Sequence, residues 1–381
     1  MGRRVLIITG EASGDLHGAN LAAALKAQDP DLRVLGVGGA RMKAAGVELV
    51  QDIGRVDVIG LVGPAAARTM VRRILALRRI LQHEPLDLVV LIDNPGVNFH
   101  FARIAKRAGL RVVYYIAPQL WAWRPRRMKW MQRRVDHVLV ILPFEEALYR
   151  RAGVPCTFVG HPLLDDVAPS YDRDRVRAAY GLPRDACVIG LLPGSRAGEV
   201  QGLLPVFLEA ARLLQRDRPL RLILAVADTV DQETIKRTCD EAGLDVRLVP
   251  HDPNGVMAAA DLLFIASGTA TLQAALIGTP MVIAYRLPWF TYLLARLLVR
   301  VDSIGLANIV AGRPFIPELI QRRVTPQNLA DEARRILDDA VYREGMRAEM
   351  ARVRSLLGEP GASARAAAVV LDQLRLGGVA R

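Results

Sequence analysis

The chain has 381 residues, enough for two domains at about 100–200 residues each, and 51% of them are apolar, which excludes a disordered chain. A formal net charge of +12 points to an anionic partner, whether nucleic acid, a membrane surface or a phosphorylated ligand, without choosing among the three. The three cysteines, Cys156, Cys187 and Cys239, are far apart with no CxxC pair, which excludes a disulfide framework and a structural zinc site and fits a reducing compartment.

The first apolar run, residues 5–8, is too short for a signal-peptide core. No stretch approaches the ~20 apolar residues of a spanning helix; the longest candidate, 289–301, is broken by Arg296 and Arg300. The expectation is a protein that is soluble or held at a membrane surface. Short runs of Val, Ile and Leu predict strands at 5–9, 34–37, 88–93, 112–116, 138–141 and 157–159, with helices between them, for example at 18–28 and 65–83. Strands apolar at successive positions are buried on both faces, as in a parallel sheet covered by helices.

After a stretch rich in Asp, Pro and Arg at 162–183 the pattern restarts. Strands are predicted at 187–192, 220–225, 245–248, 262–266 and 281–284, with helices near 201–216, 232–242, 269–277 and 291–299. Residues 325–376 read as helical throughout, with Pro326 suited to a helix start. The reading is an α/β chain of two doubly wound lobes, 1–165 and 166–345, and a helical tail, 346–381, that crosses back to the first lobe or is swapped in a dimer. In such folds ligands sit at the carboxyl ends of the strands, here facing a cleft between the lobes.

Five segments follow strands closely enough to carry chemistry. At 10–15, GEASGD, a glycine turn leads into a helix. The acidic Glu11 and Asp15 argue against a phosphate grip there, so acceptor positioning or acid/base work competes with plain helix capping by Ser13 and Asp15. His17 lies one turn further on, with a useful titration range. At 92–98, IDNPGVN, Asp93 ends a strongly apolar strand, where a partly desolvated carboxylate suits general-base work; the same residues also make an ordinary turn. At 121–130 tryptophans interleave with basic residues, and 124–134 holds six basic residues in eleven positions. That segment fits stacking on bases, a lipid interface or a solvated basic helix face over core tryptophans.

The last two segments suit a diphosphate. At 191–200, LLPGSRAGEV, the turn Gly194, Ser195, Arg196 opens a helix whose N–H groups can bind a phosphate that Arg196 clamps. At 266–280, ASGTATLQAALIGTP, Ser267, Gly268 and Thr269 leave room for an anion against a second helix start, and Gly278 stops that helix. No Walker A or GxGxxG pattern is present, and no nucleic-acid-binding module accompanies the positive charge, so a nucleic-acid partner is not expected.

These segments, with APQLWAWRPRR at 117–127, LPFE at 142–145, GHPLLD at 160–165 and ANIVAGRPFIPELIQ at 307–321, resemble the lipid-A-disaccharide synthase family in order over about 310 residues. The resemblance implies a GT-B fold of two Rossmann-like lobes. It implies an inverting glycosyltransferase that moves 2,3-diacylglucosamine from UDP onto 2,3-diacylglucosamine 1-phosphate, releasing UDP, with neither cofactor nor metal. It places the protein at the cytoplasmic face of the inner membrane of Gram-negative bacteria, peripherally associated through 121–134 and 289–300, and a homodimer is a further expectation. Asp93 and Arg196 are its strongest catalytic matches, with Asp15, Glu11 and His17 in reserve. Gly194, Ser195, Arg196, Ser267, Gly268, Thr269, Gln273 and Asn308 are its nucleotide-binding matches. Two positions depart from the family pattern. Gly96 stands where a second Asp is common, and Gln273 where Glu is common, so a ribose contact there lacks charge assistance. Another UDP-sugar-dependent GT-B enzyme, or an epimerase, is the nearest alternative, distinguished by its acceptor.

Overall fold

In the computed structural model, residues 3–10, 12–52, 64–120, 128–287 and 303–378 are described. The chain divides into two units, one made of Met1–Asp165 with Leu357–Arg381, the other of Asp166–Leu356.

The first unit is a seven-stranded parallel sheet in the order β3-β2-β1-β4-β5-β6-β7. Its strands are β1 Arg4–Ile8, β2 Arg33–Gly38, β3 Glu48–Asp52, β4 Leu88–Ile92, β5 Arg111–Tyr115, β6 His137–Val140 and β7 Cys156–Phe158. Side chains alternate across a strand, so each apolar run feeds two cores. Val5, Ile7, Val90 and Ile92 pack with Leu21 and Leu25 of the helix Ala12–Gln28 on one face. Leu6, Ile8, Val89 and Leu91 pack with Phe101 and Ile104 of the helix Pro95–Arg107 on the other. The five residues of β4 are all fully buried. At about 25 cal/mol per Å² of apolar surface, such two-sided burial is what fixes the strand in the middle of the sheet.

The C-terminal helix Ala362–Gly378 belongs to this unit and lies on the face of Ala12–Gln28, with Ala366, Ala367, Val370 and Leu374 in the same core. The tail read as one piece from 346 therefore divides: the helix Ala340–Leu356 stays with the second unit, and only the last helix returns.

The second unit is a six-stranded parallel sheet, order β10-β9-β8-β11-β12-β13. Its strands are β8 Cys187–Leu192, β9 Leu220–Val226, β10 Val246–Pro250, β11 Leu262–Ala266, β12 Met281–Tyr285 and β13 Glu318–Ile320. Two strands are absent from the sequence reading, β3 and β13. Both are sheet edges, but so are β7 and β10, which were read; β3 is polar at three of its five positions and β13 is three residues beginning with Glu318. The first helix also starts earlier than read, at Ala12, so most of GEASGD is helix and not loop.

In both sheets the chain winds outward one way, then returns to the middle and winds the other way. The reversal falls between β1 and β4 in the first unit and between β8 and β11 in the second. At such a switch point the two neighbouring loops part at the carboxyl ends of the strands and leave a crevice for ligand. Four of the five segments singled out above follow these four strands.

Candidate functional site

At the first unit's switch point, Asp93 and Asn94 both take left-handed backbone conformations, φ +47 and +39. This costs a non-glycine residue on the order of 1–2 kcal/mol, and Asp and Asn are among the side chains that tolerate it best. The surroundings hold the bend in place. The Asp93 N–H donates to Tyr115 O at 3.1 Å. Asp93 O accepts from Asn98 Nδ2 at 2.7 Å and from the Tyr114 hydroxyl at 2.5 Å. Asn98 Nδ2 also donates to Ile92 O at 3.0 Å. Asn98 and Tyr114 are buried, and burial, then the Asp93 charge, push the Tyr114 hydroxyl well above its ordinary pKa. Strain held by redundant contacts is typical of functional sites. Asp93 is partly exposed at the tip of this bend.

The adjoining loop is packed just as tightly. A Cβ at Gly10 would stand 2.1 Å from Asn94 Nδ2, so the Asn94 side chain fills the space that glycine leaves. Two of the reserve candidates there, Asp15 and His17, are held within the fold. Asp15 is buried, and its carboxylate accepts N–H groups from Gly39 at 2.6 Å, Arg41 at 3.0 Å and Met42 at 3.2 Å. It caps the helix Ala40–Ala44, and a carboxylate so occupied is a structural anchor rather than a proton acceptor. His17 has a buried Nδ1 with no hydrogen-bond partner among the described residues, and burial lowers its pKa from 6.5 to about 4. That is far from the operating range of an efficient base. It stands beside His161, which burial, then His17, lower to about 3, and whose Nδ1 accepts the Leu163 N–H at 3.2 Å. Glu11 lies outside the described residues. Gly96 is exposed with an ordinary φ, and a Cβ there would meet only Asn94 Oδ1, at 3.7 Å.

At the second unit's switch point the turns after β8 and β11 are neighbours, because Leu192 and Ile265 pair in register. Gly194 takes φ +120; Ser195 and Arg196 are exposed at the mouth of the helix Ala197–Gln215. Gly268 and Thr269 are exposed at the start of the helix Thr269–Ile277, which has no side-chain cap. A Cβ at Gly268 would meet nothing within 4 Å. Gln273 lies one turn along, on the same face as Thr269. Ser267 turns inward, its hydroxyl donating to Ile304 O at 2.9 Å. Two helix starts without a side-chain cap and a guanidinium on adjacent strand ends can together donate to a multiply charged anion.

Asn308, expected to bind nucleotide, is buried, and its amide is fully engaged. Nδ2 donates to Ile316 O at 2.9 Å and Glu318 Oε1 at 2.7 Å, while Oδ1 accepts from Phe315 N and Ile316 N at 3.0 Å each. Glu318 accepts in addition from Ile304 N and Gly305 N, both at 2.9 Å. This pair staples the loop before β13, and Asn308 has no side-chain capacity left for a ligand. The sequence reading missed Glu199, Asn98, Tyr114 and His161. Asn98, Glu199 and His161 lay within motifs already quoted, but their roles depend on side chains reaching back to backbone.

Of the aromatic-basic segment, residues 121–127 lie outside the described residues, as does all of 289–300. In the helix Met128–Arg134, Trp130 packs edge-on against Phe99, with ring centroids 4.3 Å apart, under the Arg134 guanidinium. That tryptophan is part of the core rim. Around it Arg103, Arg107 and Arg133 lie near enough to Arg134 that, after burial, their charges lower its pKa.

A family model described as lipid-A-disaccharide synthetase matches residues 5–370. The chain is 46% identical over 374 residues to the lipid-A-disaccharide synthase of Geobacter metallireducens, covering 98% of this chain and 97% of that one. It is 41% identical to that of Myxococcus xanthus, covering 99% of each. Among solved structures it is similar to a UDP-GlcNAc 2-epimerase from Neisseria meningitidis bound to UDP-GlcNAc, with TM-score 0.67, 12% identity and coverage of 97% and 100%. At that identity the likeness shows the fold alone, a GT-B arrangement of two parallel-sheet units.

Proposed function

The chain belongs to the lipid-A-disaccharide synthase family, and we propose that it transfers 2,3-diacylglucosamine from its UDP carrier to the 6-hydroxyl of 2,3-diacylglucosamine 1-phosphate. Lipid A disaccharide synthesis by a glycosyltransferase comes with the family; the donor, the acceptor and the residue roles are our reading. The observation that carries it is the placement of Asp93 at one sheet's switch point and of Gly194–Arg196 and Gly268–Thr269 at the other's.

The donor is α-linked and the product β-linked, so the displacement is single and inverting. In this reading Asp93 accepts the proton of the attacking hydroxyl while the sugar–diphosphate bond breaks. The bend at 93–94 fixes the carboxylate's backbone before substrate arrives, so little reorganisation is left to the reaction. Negative charge develops on the leaving UDP. Arg196 and the N–H groups that open the helices at 197 and 269 meet it, each preorganised donor being typically worth about 3–4 kcal/mol. Thr269 and Gln273 extend the contact along one helix face toward the ribose. Ser267 and Asn308 shape the loops and contribute no free side-chain donor.

Both substrates carry acyl chains, so the enzyme works where lipid is reached, which we place at the cytoplasmic face of the inner membrane. The cluster of Arg103, Arg107, Arg133 and Arg134 supports attraction to an anionic surface, and no helix among the described residues is long and apolar enough to cross a bilayer. The test is the purified chain with both diacylated substrates, followed by mass spectrometry: a disaccharide monophosphate and UDP are expected. UDP release that is independent of the acceptor, or an epimerised donor, rejects the reading.

A further inference from the structure

Glu199 sits in the first turn of the helix Ala197–Gln215, and its side chain bends back over the turn before it. Oε2 accepts the Ser195 backbone N–H at 3.2 Å, and Oε1 accepts from Arg196 Nη1 at 3.3 Å. Gly194 lies directly beneath. A Cβ there would stand 2.4 Å from Glu199 Oε2 and 2.7 Å from Glu199 Cβ, at a backbone φ of +120. The positive φ already favours glycine here, and the Glu199 side chain folds into the space a Cβ would take. On the other side, the Thr229 hydroxyl donates to Ser195 O. The Tyr285 hydroxyl, at the end of β12, has its pKa raised by burial, then by Glu199, and lowered by Arg196, so all three side chains share one corner.

Arg196 needs such a tether. Its side chain is 65% exposed, against 24% for Glu199, and a long side chain in water loses much rotamer freedom when it is fixed. The contact leaves the fork usable. Among the described residues one guanidinium N–H of five is taken, and at 3.3 Å the bond is longer than the ~2.7–2.9 Å of a strong charge-assisted pair. The carboxylate therefore orients the cation without neutralising it.

We propose that Glu199 is a positioning residue for sugar transfer, its carboxylate tying the Ser195 N–H to the Arg196 guanidinium so that turn and cation meet the donor diphosphate as one rigid unit. This rests on the reading of Arg196 as the diphosphate clamp. The alternative physical role is competition, the carboxylate occupying donors that the diphosphate seeks.

The test is a double-mutant cycle on the full-length chain: R196A, E199A and R196A/E199A, with E199Q alongside. Turnover and donor KM are measured with the two diacylated substrates, and UDP affinity by calorimetry. E199A is expected to lose about tenfold or more in kcat/KM. E199Q can keep an oxygen acceptor for the Ser195 N–H but then turns its NH2 toward the Arg196 guanidinium, so it is expected to retain most of that loss. The double variant should be no slower than R196A within about twofold, because residues acting through one another are not additive. Losses that multiply would overturn the proposal, since Glu199 would then act independently of Arg196. Tighter UDP binding by E199A would overturn it in favour of competition. If E199A fails to fold, E199Q replaces it in the same cycle. A slow R196A beside a normal E199A removes only the positioning role, whereas wild-type turnover by R196A removes the clamp and the positioning with it.

Discussion

The two switch points share a topology and differ in almost everything else. Between β1 and β4 the polar groups answer one another. Asp93 O accepts twice, Asn98 donates twice, Asp15 accepts three times, and Gly10 is pressed against Asn94. Between β8 and β11 the groups point outward, with Ser195, Arg196, Gly268 and Thr269 exposed, two helix starts uncapped and a single carboxylate holding the cation. One region carries backbone strain locked by buried contacts; the other carries donors waiting for an anion. Chemistry at a single proton needs fixed geometry, while binding a diphosphate needs many accessible donors. The contrast fits the proposed division, catalysis in the first unit and grip in the second, and each half of that proposal can be broken separately.

The largest effect is expected at Asp93. D93N keeps the side chain that best tolerates φ near +47 and removes only the proton acceptor. Loss of a general base typically costs about 10²–10⁴ in rate, so kcat should fall into that range while donor KM and melting temperature stay close to wild type. Turnover within a few-fold of wild type would leave the locked bend without a catalytic purpose. A large drop in melting temperature would mean that the carboxylate is structural like that of Asp15.

Asn308 provides the complementary test in the second unit. N308A removes four hydrogen bonds and leaves buried partners unsatisfied around Ile316 and Glu318, at about 1–3 kcal/mol for each group left unpaired. Chemical denaturation should show a loss of several kcal/mol, partly recovered by loop relaxation. UDP affinity of the folded fraction should be unchanged. A stable N308A with weakened UDP binding would return this residue to the ligand side.

The paired histidines report on the first unit's packing through pH. Burial holds His17 at about 4 and His161 at about 3, below the ordinary 6.5, so both are neutral in the fold and take up protons more readily when the chain unfolds. Their contribution to stability is full above about pH 6.5 and is lost as pH falls, down to about 4 for His17 and about 3 for His161. In that window each adds up to about 1.4 kcal/mol per pH unit. Carboxylates titrate in the lower half of the same window, so the measurement is a difference. H161N should flatten the dependence of unfolding free energy on pH between 6 and 5 relative to wild type. Equal slopes would place His161 in contact with water.

The sheets were legible because Val5–Ile8 and Leu88–Ile92 are apolar at every position, which only a strand covered on both faces accommodates. The edge strands Glu48–Asp52 and Glu318–Ile320 were not, being polar or three residues long. Site positions were legible where a strand ran into Gly, Ser and Arg, because that turn chemistry is local. The roles of Asp15 and Asn308 were not. Asp15 caps a helix that begins 25 residues later in sequence, at Ala40, and Asn308 closes on Ile316 and Glu318 across a loop. Nothing local marks a buried amide as a staple rather than a ligand, and Glu199 differs from a surface glutamate only through the glycine beneath it.

The smallest expected effect concerns Gly96, where the family resemblance leads one to expect a second aspartate. The site has room for it: Gly96 is exposed, has no left-handed φ, and a Cβ would make only ordinary contact with Asn94. It also lies in the first turn of the helix Pro95–Arg107, where a carboxylate gains about 0.3–1 kcal/mol from the helix N-terminus. G96D should therefore raise stability slightly. Its mechanistic effect depends on whether the bend at 93 is the catalytic centre. A carboxylate three residues from Asp93 would disfavour simultaneous ionisation of the two, so the acid limb of the kcat/KM profile should move to higher pH, with a change of a few-fold in the plateau. If the limb stays where it is while stability rises, position 96 is electrostatically separate from the base. The first unit then works with a single carboxylate because its geometry requires no second.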